Sequence, residues 1–186
     1  MQASLAERAT ARRVVAVADG VDRVIGVVCR AIILVTVIVL LAMLGANVVA
    51  RYVLAQGGLF WVSEVPEQLF PWMIAAGIVL AVQHGAHIAV DIIMGFLGHQ
   101  GRRLLIAGIN LLVAAAYVVL LVVNLQTAEI AAAERSAILG LPRSLGYYAL
   151  SFGALLTAVC SLTIALRVAV IGPEAAPEPN PEESVT

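Results

Sequence analysis

Histidine is the residue type here whose chemistry would be most diagnostic, because imidazole binds metal ions and haem iron. His84 and His87 lie three residues apart, and His99 follows in the same segment. This spacing raises the hypothesis of a haem or metal site. Bis-histidine haem needs imidazoles on facing helices, however, and no cysteine or carboxylate completes a ligand set around this pair. We therefore expect no cofactor, and a structural pairing of His87 with Asp91 one helical turn away.

The spacing of residues does not support nucleophilic or thiol chemistry either. All three histidines are predicted to lie on one side of the membrane inferred below, without a nucleophile motif nearby, so a Ser–His–Asp triad cannot be assembled. Cys29 and Cys160 lie far apart in apolar surroundings without CxxC spacing, which is typical of small packed side chains. No glycine-rich phosphate loop is present. The sequence predicts a protein that is not an enzyme.

The composition indicates a membrane protein. Of the 186 residues, 62% are apolar and only 12% are charged, and the mean hydropathy is +1.01. A water-soluble domain carries about twice that charge. The net charge of −1, with no concentrated basic face, argues against a nucleic-acid partner.

Four uncharged stretches are long enough to cross a bilayer, which needs about 20 apolar residues. They predict an all-α integral membrane protein with four transmembrane helices in one domain, residues 1–171. The predicted spans are 31–50, 65–83, 104–128 and 144–167. Residues 172–186 are rich in proline and glutamate, and we expect them to form a disordered cytoplasmic tail.

Arginine placement predicts the orientation. Arginines crowd the segment before the first span and the loop after the second, whereas the opposite side has Arg51, Arg135 and Arg143. Both termini are therefore expected in the cytoplasm. The valine-rich segment 14–28 predicts an amphipathic helix that lies at the interface or extends the first span. In the loop 83–103, one helical face is apolar and His87, Asp91 and Gly95 recur every four residues on another, which predicts a short interfacial helix between spans two and three.

The spans carry faces suited to helix packing but no ionisable residue at mid-depth. In the fourth span, five small residues recur every fourth position: Ala149, Gly153, Thr157, Ser161 and Ala165. Small residues allow membrane helices to approach closely. Proton and ion pathways usually place ionisable groups near mid-depth, so this chain is not expected to transport a solute alone.

Five short motifs, in order, resemble a known family. They are NVVARYV (47–53), WVSE (61–64), Trp72 with Gly77, GAHIAVD (85–91), and LGLP followed by a tyrosine pair (139–148). On a four-span chain they resemble the small membrane subunit of the tripartite ATP-independent periplasmic (TRAP) transporters, the DctQ-like family. The chain departs from the family pattern at Val65, where a second acidic residue often follows the one at Glu64.

The resemblance implies a non-catalytic subunit in the bacterial inner membrane. Its expected partners are a large multi-span permease subunit, a periplasmic substrate-binding protein and membrane lipids. The transporter would import a carboxylate, driven by a sodium or proton gradient, while this subunit supports and anchors the permease. The expected interface or structural residues are Asn47, Arg51, Tyr52, Trp61, Glu64, Trp72, Gly77, His87, Asp91, Arg135, Pro142 and Arg143.

Two alternative functions stay open at the level of sequence. The chain is either the small subunit of a tricarboxylate tripartite transporter, or the membrane anchor of a redox enzyme with haem on His84 and His87.

The arrangement of Arg51 and Glu64 also stays open. They flank the same loop, and they either pair with each other or reach separately toward water.

Overall fold

The computed structural model describes residues 2–53, 58–84 and 98–176, with side chains described from residue 12 onward. Four α-helices account for most of them: α1 (Gln2–Val53), α2 (Val65–Gln83), α3 (His99–Ala131) and α4 (Ser144–Val170). Short 3-10 helices at Phe60–Glu64 and Pro173–Ala175 precede α2 and follow α4. No strand occurs in these ranges, so the all-α prediction is confirmed.

Four segments of these helices are long and apolar enough to cross a membrane, as predicted. They are Arg12–Val53, Phe60–Gln83, His99–Ala131 and Ser144–Val170. At 1.5 Å per residue, the first segment is about 60 Å long, roughly twice the hydrocarbon thickness of a bilayer. The N-terminal segment therefore extends the first span as one continuous helix, which is the second of the two expected arrangements. The residues that carry the predicted interfacial helix, from His87 to Leu97, lie outside the described residues.

The described residues fall into two compact units, and each contains a part of all four helices. Unit 1 comprises the described residues within Met1–Val27, Val79–Tyr117 and Leu156–Thr186, and unit 2 comprises those within Val28–Ile78 and Val118–Leu155. In unit 1, Ala18 and Ile25 of α1 are buried, whereas Val17 and Val24 are largely exposed. The valine-rich face of α1 therefore points outward, as expected for a helix whose surroundings are apolar.

Helix α4 is the most deeply packed of the four. Within its apolar window 61% is buried, against 28% or less for the others. All five members of its small-residue stripe are buried, as the spacing predicts for a packing face. In unit 2, a Cβ added to Gly153 would lie 2.6 Å from the Cβ of Ala75 on α2. Only glycine permits this approach of the two backbones.

Candidate functional site

The carboxylate of Glu64 holds the loop between α3 and α4 in unit 2. Its oxygens accept hydrogen bonds from the backbone N–H groups of Ile138, at 3.0 and 3.2 Å, and of Leu139, at 2.9 Å. Glu64 ends the 3-10 helix that leads into α2, so these bonds join the beginning of α2 to a loop more than 70 residues later. Hydrogen bonds to an ionised acceptor are about twice as strong as neutral ones.

The loop that Glu64 holds has a defined internal geometry. Arg135 and Pro142 form an isolated antiparallel bridge, and the N–H of Ser136 donates to the carbonyl of Leu141 at 2.9 Å. Gly140 at the tip has a φ of +65°, a left-handed conformation that side chains disfavour. This hairpin-like geometry accounts for glycine and proline in the LGLP motif, since Pro142 directly precedes the turn into α4.

Both arginines of this loop are tied to loop atoms while remaining near its surface. The guanidinium of Arg135 donates to the carbonyl of Gly140 at 3.1 Å. Arg143 places its Nε 3.8 Å from a carboxylate oxygen of Glu134, and more than half of each side chain is exposed. An exposed pair of this kind contributes little to stability, about 0–1 kcal/mol. Their charges are therefore available at the protein surface.

Asn47 holds the segment before α2 against the end of α1. Its side-chain oxygen accepts a hydrogen bond from the N–H of Leu59 at 2.7 Å. Gly58, just before, has a φ of +110°, and a Cβ there would lie 3.1 Å from the same oxygen. Asn47, at the start of the NVVARYV motif, thus has a structural role that fits its residue type.

Arg51 and Glu64 do not pair in the described structure. Glu64 is engaged by the loop backbone instead, and Arg51 is exposed. Tyr52 is 86% exposed, and Trp61 is 41% exposed. Such amphipathic rings at a helix end are typical of the membrane–water interface.

The remaining predicted residues fall into two groups. Trp72 on α2 contacts Phe152 on α4, with ring centroids 6.0 Å apart, whereas Gly77 is half-buried with open space where a Cβ would stand. His87 and Asp91 lie outside the described residues. His84 has its Nδ1 2.7 Å from the carbonyl of Leu80, one turn earlier on its own helix.

A second polar cluster, in unit 1, was not anticipated from the sequence. Arg167 of α4 forms an ion pair with Asp22 of α1, and its other nitrogen lies 3.5 Å from Asp19. Asp22 also accepts a hydrogen bond from the hydroxyl of Thr163 at 2.9 Å. Gln83, at the end of α2, donates to the backbone carbonyl of Asp22 at 2.8 Å. We call these five residues the Asp22 cluster.

The Asp22 cluster joins three helices at a largely buried point. The side chains of Asp22 and Arg167 are 16% and 19% exposed. A charge in such a position is costly unless it is paired, and here each sign supplies the partner of the other. One sequence signal could have indicated the pair: Arg167 is a lone cation at the end of an apolar span, and α1 carries two carboxylates three residues apart.

The polar contacts described above have a structural role. Across the described ranges, no group of three or more His, Cys, Asp or Glu side chains is placed to hold a metal ion. The polar contacts of Glu64, Asn47 and the Asp22 cluster instead join one helix or loop to another. The geometry therefore fixes helix ends with respect to their neighbours.

Comparison with known proteins decides the family. Residues 40–170 match the family described as "Tripartite ATP-independent periplasmic transporters, DctQ component". The chain belongs to this family. The match includes the Glu64 contacts, the α2–α4 packing and α4 as far as its last residue, and it confirms the resemblance found in the motifs. The family is that of the small TRAP transporter component, and four segments of the described residues are long and apolar enough to cross a membrane.

The chain is also similar to one curated protein. It is 41% identical over 143 residues to "Uncharacterized protein y4mM" of Sinorhizobium fredii (strain NBRC 101917 / NGR234). The matched region is 77% of this chain but 26% of the relative, so the chain spans about a quarter of the relative's length. No solved structure matches the chain.

Proposed function

We propose that this chain is the non-catalytic brace of a TRAP-type secondary transporter in the bacterial inner membrane. The complex would import a carboxylate with a periplasmic binding protein, driven by a sodium or proton gradient. The main support for the proposal is the ion pair of Asp22 with Arg167, which joins α1 to α4. It is the most buried ion pair among the described residues. A brace needs such fixed contacts, and the family supplies the transporter in which it serves.

The expected partner is a large multi-span permease subunit. Many apolar side chains of α1 and α3 are exposed in the isolated chain, and Ala42 and Ala46 place a small-residue face outward on α1. Such a face permits close approach of another membrane helix. In the Sinorhizobium relative, the matched region is one part of a much longer polypeptide, which fits a module that works with further protein.

Reconstitution tests the brace directly. Vesicles that contain this chain alone should show no gradient-driven uptake of carboxylates. Vesicles with the chain, the large subunit and the binding protein should show uptake that depends on an imposed sodium or proton gradient. Gradient-driven uptake by the chain alone would overturn the proposal, as would failure of the tagged chain to retain a large multi-span partner in mild detergent.

We further propose that both termini face the cytoplasm and that the loop held by Glu64 faces the periplasm, near the docking position of the binding protein. Trp61, Arg135 and Arg143 supply exposed aromatic and charged groups there. Reversing the charge at Arg143 should lower uptake without lowering the yield of the complex. Unchanged uptake would assign this arginine to anchoring of the helix end alone.

A further inference from the structure

An open apolar groove lies between α1 and α4 in unit 1. Its volume is about 370 Å³, within the range of small-ligand sites. Val17 and Val21 form the α1 side, and Val159 and Leu166 form the α4 side. Arg13 also borders the groove, but the groove surface is almost entirely apolar, so the exposed guanidinium of Arg13 lies at its edge and not in its wall.

Most of the groove is lined by aliphatic side chains, which cannot hydrogen-bond to a polar ligand. The one hydroxyl in the wall, that of Thr163, is already within hydrogen-bond distance of Asp22 and of the backbone carbonyl of Cys160. The remaining walls are aliphatic, so they can contact only an apolar occupant without leaving polar groups unsatisfied. Val17 is 67% exposed, and the groove therefore opens to the surroundings of the helix instead of being enclosed by the chain.

Arg13 gives the occupant a charged end. It lies about 12 Å along α1 from Val21, a length comparable with one leaflet of hydrocarbon, about 15 Å. No carboxylate among the described side chains pairs with Arg13, whereas Asp19 and Asp22 are both engaged by Arg167. A guanidinium in this state is suited to bind a phosphate through two parallel hydrogen bonds.

We propose that this groove binds an anionic phospholipid, with an acyl chain against the valine walls and the phosphate on Arg13. Leu166 immediately precedes the arginine that ends the apolar part of α4, so the groove lies where the hydrocarbon of a leaflet meets the headgroups. The proposal rests on the proposed function for one point only, that this end of the protein faces the cytoplasm. A lipid bound here fills the space between α1 and α4 beside the Asp22 cluster.

Native mass spectrometry of the purified full-length chain can test the site. The chain is titrated with dioleoyl phosphatidylglycerol, dioleoyl phosphatidylcholine and the short-chain dihexanoyl phosphatidylglycerol. We expect the long-chain anionic lipid to bind most tightly. Arg13→Gln should weaken its binding about five-fold, the effect of one arginine near a membrane surface. Arg23→Gln, an exposed arginine on the same helix outside the groove, is the matched control and should change little.

A second substitution tests the apolar walls without changing charge. Val21→Trp fills the groove and should reduce binding of the long-chain lipid to the level of the dihexanoyl analogue. Val17→Phe, at a more exposed position, serves if Val21→Trp does not yield folded protein. Equal weakening by Arg13→Gln and Arg23→Gln would overturn the proposal, and so would equal affinity for the two dioleoyl lipids or wild-type binding by both groove-filling variants. Because no partner subunit is present, these outcomes are independent of whether the chain braces a permease.

Discussion

Two charged groups of this protein, the carboxylate of Glu64 before α2 and the guanidinium of Arg167 near the end of α4, bind specific partners. Glu64 binds two backbone N–H groups of the loop before α4, and Asp22 binds the guanidinium of Arg167 and the hydroxyl of Thr163. In each case a charged group would be costly near hydrocarbon if it had no partner. The charge is therefore retained where it can join two segments that are distant in sequence.

Glu64→Gln should loosen the loop between α3 and α4. The amide keeps one acceptor oxygen but loses the charge, so the N–H groups of Ile138 and Leu139 lose strong hydrogen bonds. Hydrogen exchange of the peptide that contains both residues should become several-fold faster. Glu67→Gln is the control, because Glu67 is exposed in the first turn of α2. Equal exchange in both variants would show that the carboxylate does not hold the loop.

Arg167→Gln should destabilise the protein by about 3 kcal/mol, because it leaves Asp22 in a largely buried position without its cation. The double variant Asp22→Asn/Arg167→Gln removes both charges, and it should be less destabilised than the sum of the single variants by at least about 1 kcal/mol. Thermal unfolding in detergent measures both. Arg23→Gln, at an exposed position beside Asp22, should stay within about 0.5 kcal/mol of the parent protein. Strict additivity would show that Asp22 and Arg167 are not coupled.

At the scale of the elements, packing depends on where small residues meet. The stripe of α4 is buried throughout, whereas Ala42 and Ala46 of α1 have the same spacing and are exposed. Spacing predicts that a face is able to pack closely, but it does not determine which face is used within the chain. In a membrane, an exposed face of this kind is free for lipid or for another subunit.

Gly153→Ala should force α4 away from α2, because the new methyl group would overlap Ala75 at 2.6 Å. We expect a loss of about 1–3 kcal/mol, typical of overpacking. Gly77→Ala on α2 is the matched control: nothing lies within 4 Å of its Cβ position, and the better helix propensity of alanine should leave stability unchanged or raised by up to about 1 kcal/mol. Unfolding in mixed micelles compares the two. Equal free energies of unfolding for Gly153→Ala and Gly77→Ala would contradict the prediction, because the close contact of α2 with α4 would then contribute nothing to stability.

At the scale of the whole molecule, orientation in the membrane decides which partners can reach which loop. Arginine placement predicts cytoplasmic termini, and the loop of Arg135 and Arg143 would then face the periplasm. Both native cysteines, Cys29 and Cys160, are fully buried, so introduced cysteines can report orientation with a low background.

Ile138→Cys, in the exposed loop, should react with a membrane-impermeant maleimide in cells whose outer membrane has been made permeable. Gln100→Cys, exposed at the start of α3, should react only after the inner membrane is broken. The physical reason is that the charged reagent cannot cross the hydrocarbon core. Gel-shift labelling gives the result, and the reverse pattern would place the termini in the periplasm.

The amino-acid sequence is sufficient to identify the class of this protein. Hydrophobic length alone identifies four spans, because a bilayer imposes a minimum of apolar residues on each helix. The ordered motifs from Asn47 to Tyr148 indicated the family that the comparison then confirmed. The buried stripe of α4 also followed from its four-residue spacing, which places every member on one helix face.

The partners of the polar residues become visible only in the packed arrangement of the helices. Asp22 and Arg167 are 145 positions apart. The lone cation at the end of α4 and the two carboxylates of α1 suggest charges that need partners, but only the packed helices show which charges meet. Glu64 likewise accepts hydrogen bonds from the backbone of Ile138 and Leu139 and does not pair with Arg51, although Arg51 lies nearer in sequence. Periodicity specifies the face of a helix on which a residue lies, but contact depends on how that face is aligned with its neighbours, and this alignment arises only when the helices pack.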